Sequence, residues 1–110
     1  MNPKTLFFIF IAIAVIIEII ADILFKKWTL TNKTSFIVLG MILYATGTFF
    51  WAVSLKYELL SKAVIIFTLV NLIAIVAVGV LIFNEQLNTM NKIGIALGII
   101  SIFLLEYAGE

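Results

Sequence analysis

The chain contains no cysteine and no histidine. Without cysteine there is no disulfide and no thiolate metal site. Without histidine as well, a transition-metal site would need carboxylates alone, which lipid surroundings disfavour. Arginine is also missing, so all seven basic residues are lysines. Proline occurs once, as Pro3. Charged residues are scarce, at 12% against about 25% in soluble domains. The net charge of +1 offers nucleic acid no basic surface. No nucleophile–base pair or metal cluster stands out, so neither enzyme activity nor a cofactor is expected.

What is present is oil. Hydrophobic residues make up 65% of 110 positions, and the mean hydropathy is +1.28. These values predict an integral membrane protein with no room for a soluble domain. Lys4 before an apolar run, with Ala12-Ile13-Ala14 after it, has the outline of a signal peptide. Cleavage there would discard most of a helix and release no soluble domain, so the segment is read as retained.

Four apolar runs predict helices over about 5–25, 36–55, 63–83 and 91–107, in one domain spanning 1–110. About 20 residues cross a hydrocarbon core of about 30 Å. Short connections make the expected fold an all-α bundle of four transmembrane helices. Continuous runs of this length argue against a barrel, whose strands need only about 9–11 residues of alternating polarity. The first helix is expected to end at Phe25, with Lys26, Lys27 and Trp28 in the interface.

With four spans, Lys4, Lys56 and Lys62 lie on one side, and Lys26, Lys27, Lys33 and Lys92 on the other. Three against four is almost no orienting bias. Charge alone leaves two alternatives: a weakly oriented chain, or copies that insert both ways and pair antiparallel.

The first run carries two acids, Glu18 and Asp22. A carboxylate at the centre of a span costs about 2.5–3.5 kcal/mol on insertion scales, and such groups mark ion, proton or substrate sites. Glu18 is therefore the leading candidate. A carboxyl there can hold a proton and release it to make room for a cation, so the two compete for one place. The alternative is a carboxyl that only bonds between helices. Asp22 shares the face of Glu18 at i+4. It reads either as a second acid or as an interfacial partner of Lys26, again at i+4. Ala14 and Ala21 lie on the same side and admit a close neighbour.

In the second run, Tyr44, Thr48, Trp51 and Leu55 fall on one face, with Gly40 and Gly47 beside it. Aromatic faces attract organic cations; the alternative for these rings is space filling. In the third, Phe67 and Asn71 share a face around Thr68. Asn71 reads first as a bridge between helices and second as a substrate contact. In the fourth, Gly94 and Gly98 form a close-packing motif, read as a dimer contact.

These residues resemble the small multidrug resistance family, the smallest members of the drug/metabolite transporter superfamily. The stretch from Glu18 to Lys26 is similar to the family signature, a glutamate followed eight residues later by a lysine closing the helix. Tyr44 matches the binding-site tyrosine of the second helix. Phe83-Asn84-Glu85-Gln86-Leu87 and the Gly94–Gly98 segment are similar to the superfamily pattern around the last helix. The resemblance covers nearly the whole chain. It implies an antiparallel, dual-topology homodimer, or a paralogous heterodimer, in the inner cell membrane. It also implies proton-coupled export of small organic cations, of quaternary ammonium, guanidinium or polyamine type. Val64, Phe67, Leu69 and Asn71 stand where the family usually has Tyr, Trp and a Gly-x-Gly hinge. Those departures bear on which cations are carried. Two other readings stay open: a lipid or lipid-linked sugar flippase subunit, and a membrane interaction protein that transports nothing.

Overall fold

The computed structural model describes residues 2–108, leaving out the side chains of Ile102, Leu105, Glu106 and Ala108. The described residues form four α-helices and no strand. These are α1 (Pro3–Thr31), α2 (Thr34–Ser54), α3 (Leu60–Leu81) and α4 (Thr89–Ala108). Three of them, α1 to α3, are long and apolar enough to cross a membrane.

Helix α1 starts at Pro3, two residues before the apolar run expected to begin it. Asn2 caps it, its Oδ1 accepting from the Thr5 amide at 2.8 Å, and Pro3 takes the first turn. It ends later than its apolar run. The helix continues through Lys26, Lys27 and Trp28 to Thr31, where Asn32 turns left-handed at φ 58°. The Asn32 amide donates to the Trp28 carbonyl at 2.7 Å. Hydropathy marks the edge of the oil, whereas the helix end is set by backbone chemistry. Lys, Trp and Thr all continue a helix, and Asn is among the few residues that tolerate the left-handed stop. Asn32→Ala is expected to cost about 1 kcal/mol and to speed amide exchange over residues 29–32. Asn32→Gly should leave that exchange unchanged.

Helices α1 and α2 form one compact unit, and α3 and α4 another. In the first, α1 buries Phe7, Ile11, Ala14, Val15, Glu18 and Ala21, a single stripe at helical spacing. Helix α2 answers with Gly40, Gly47 and Ser54, each seven residues apart. Seven residues are nearly two turns, so these line up on one edge. An added Cβ at Gly40 would sit 3.4 Å from the Ala21 carbonyl oxygen, and one at Gly47 3.3 Å from that of Ala14. Two alanines thus face two glycines across an antiparallel hairpin, and the backbones approach as small residues allow. Aromatic rings close the end of this unit near the α2–α3 turn. Phe10 stacks on Tyr57 at 5.9 Å and on Phe50 at 6.2 Å between centroids.

In the second unit α3 and α4 touch sparsely. Their connection is more ordered than its polarity suggests. Asn84 adopts φ 52°, and the Glu85 amide donates to the Gly79 carbonyl at 3.0 Å. Asn88 caps α4 by accepting from the Asn91 amide at 2.7 Å.

Candidate functional site

Glu18 lies on the buried stripe of α1, 7% exposed. Its position follows from the spacing that buries Ala14 and Ala21, since all three share a face. Its side chain packs over Gly47 of α2: a Cβ there would lie 2.6 Å from Glu18 Cγ. The Oε2 oxygen is buried and makes no hydrogen bond. Buried polar groups are ordinarily satisfied, and one left orphaned needs an explanation such as strain, a catalytic role or an unseen ion.

Asp22 sits one turn further along α1 and is half-buried. Phe25 completes this side. Its ring lies over Gly40, where a Cβ would meet it at 2.7 Å. The same ring lies 6.3 Å from that of Tyr44, tilted by 47°. Tyr44 is 47% exposed, so its ring is flanked by the chain and not enclosed by it. The Thr48 hydroxyl donates back to the Tyr44 carbonyl at 2.9 Å, which leaves its oxygen lone pairs for other donors. Trp51 is half-buried one turn on. Its carbonyl accepts from the Ser54 hydroxyl at 2.6 Å.

The first unit therefore brings Glu18, Asp22, Phe25, Gly47 and Tyr44 to one stretch of a helical hairpin. In the second unit, Phe67 and Asn71 are both half-buried on α3, one turn apart, with Thr68 exposed between them. Gly94 is exposed, and a Cβ added there would meet nothing within 4 Å. At Gly98 it would meet, among the described residues, only Leu72 Cδ2, at 4.0 Å. Among the described residues, the space at these glycines is open. A pocket of about 340 Å³ lies by the α3–α4 connection, lined by Val80, Glu85, Gln86, Leu87 and Lys92.

Two contacts were not legible in the sequence. One is the direct seating of Glu18 on Gly47; the glycine signalled close packing but not which residue it admits. The other is the Phe10–Phe50–Tyr57 stack. Its only trace in sequence is the seven-residue spacing of Phe50 and Tyr57.

Three long apolar helices mark an integral membrane protein, and the first of them carries a buried acid. The sequence matches the EamA-like transporter family over residues 1–107, and the chain belongs to that family. It is thus a membrane transporter of the drug/metabolite transporter superfamily. No curated protein and no solved structure matches the chain.

Proposed function

We propose that this chain is a proton-coupled antiporter of small organic cations, working by alternating access, with Glu18 exchanging a proton for substrate. The observation that carries this reading is the Glu18 carboxyl, nine-tenths buried on a membrane helix with Oε2 unbonded. Such a group has two natural partners, a proton or an organic cation, and each excludes the other. Family membership supports transport. The aromatic rings of Phe25 and Tyr44 beside the hairpin support a cation with apolar bulk over a bare metal ion.

The working unit in this reading is a pair of antiparallel copies in the inner membrane. Near-balanced lysines permit both insertions. The open space at Gly94 and Gly98 supports α4 as the contact between copies, α4 then being the fourth span. Two copies related by a two-fold axis in the membrane plane give the inverted symmetry on which alternating access is built. Phe67, Asn71, Trp51 and Thr48 complete the proposed substrate contacts.

The test is proton release. Quaternary ammonium, guanidinium and polyamine compounds are added to detergent-solubilised protein in weak buffer. At least one class should release about one proton per bound cation. Silence from all three, with stabilisation by a lipid-linked sugar instead, would replace this reading with a flippase. Silence from every compound would leave an interaction protein.

A further inference from the structure

We infer that Gly47 is the positioning residue for Glu18: the side chain it lacks is the seat in which the Glu18 chain rests, and that seat fixes where the carboxyl lies. This rests on the reading of Glu18 as the coupling acid.

The geometry is specific. A Cβ on residue 47 would stand 2.6 Å from Glu18 Cγ, 3.3 Å from the Ala14 carbonyl oxygen and 3.3 Å from Ile17 Cγ2. Carbon atoms in ordinary contact stay about 3.5–4.0 Å apart. The Ala14 oxygen is part of a helix backbone and cannot retreat alone. The atom that must yield is therefore Glu18 Cγ, and it yields only by changing rotamer. Cγ is bonded to the carboxyl carbon, so any such change carries the carboxyl with it. Oε2 makes no hydrogen bond that could hold the group in place. Packing against residue 47 is what locates it. Glycine in a helix interior is otherwise unfavourable, and close approach is one of the uses that offsets this.

Gly40 supplies the comparison. It lies on the same edge of α2, seven residues earlier, and faces the same helix. A Cβ there would meet the Phe25 ring at 2.7 and 2.8 Å and the Ala21 carbonyl oxygen at 3.4 Å, with no carboxyl among its neighbours. Methyl groups at 40 and 47 therefore strain the same hairpin, but only the second displaces Glu18.

The experiment uses the full chain with Gly47→Ala and Gly40→Ala, each alone and combined with Glu18→Ala. The first readout is the pH midpoint of the Glu18 carboxyl in the absence of cation, read by infrared titration as the difference from Glu18→Ala protein. Gly47→Ala should move it by about one unit or more, a tenfold change in proton affinity, and Gly40→Ala should not. The second readout is thermal stability in detergent, which needs no transport. Glu18→Ala removes the Cγ that residue 47 would strike, so it should relieve most of the loss caused by Gly47→Ala. With Gly40→Ala the two losses should add. An unmoved midpoint in Gly47→Ala, equal shifts in both glycine variants, or additive losses at 47 and 18 would overturn the assignment. Wild-type protein that releases no proton with any cation would sink the antiport reading alone. The stability cycle would still decide whether Gly47 seats Glu18.

Discussion

Glu18→Gln protein in proteoliposomes should lose cation flux driven by a proton gradient by at least about a hundredfold. The estimate comes from the cost of leaving a buried charge without its partner, about 3–5 kcal/mol, at about 1.4 kcal/mol per factor of ten. Glutamine keeps the shape and most of the packing over Gly47. It removes the one property the mechanism needs, a site that carries a proton in one half of the cycle and a negative charge in the other. Stability should therefore fall little, and a variant that folds but does not move substrate separates chemistry from architecture. Flux within threefold of wild type would end the antiport reading. The carboxyl would then be a bond between helices.

The second large effect is expected at Asp22. It lies one helical turn from Glu18 on the same side of α1 and is half-buried. A turn rises about 5.4 Å, so two carboxylates in this register suit a short diamine with one charge for each. Asp22→Asn is expected to raise KM for a diamine by about tenfold or more, the loss of one charge-assisted bond of about 1.5–3 kcal/mol. KM for a monovalent cation of similar bulk should stay within about twofold, because Glu18 alone serves it. The informative quantity is the ratio of the two, measured in one preparation. Full diamine transport by the variant would show that Asp22 belongs to the interface and not to the site.

Much of this architecture could be read from the chain. Apolar runs near bilayer length announce helices, because the backbone can satisfy its own hydrogen bonds in lipid in few ways. Glu18 announced itself through the cost of its burial, and the spacing of Ala14 and Ala21 already placed it on a packed face. The end of α1 lies beyond the apolar run because Lys26 and Lys27 mark a change of solvent, while Asn32 marks the change of backbone. The pairing of Gly47 with Glu18 needed the register of two antiparallel helices, which a single helical period does not contain. Substrate identity is hardest to read. It depends on rings such as Tyr44 and Phe67, whose chemistry serves packing and cation binding alike.

The overrun of α1 past its greasy stretch has a mechanical consequence. At about 1.5 Å per residue, 29 residues make a rod of about 44 Å, the depth of a whole leaflet pair with its headgroups. Lys26, Lys27 and Trp28 ride on the rigid upper part of that rod instead of a slack tether. With these side chains anchored at the water boundary, as their chemistry favours, Glu18 lies about two turns below it. The chain thus carries its own plumb line: the length of helix between Glu18 and that anchored end sets how far below the boundary the carboxyl hangs.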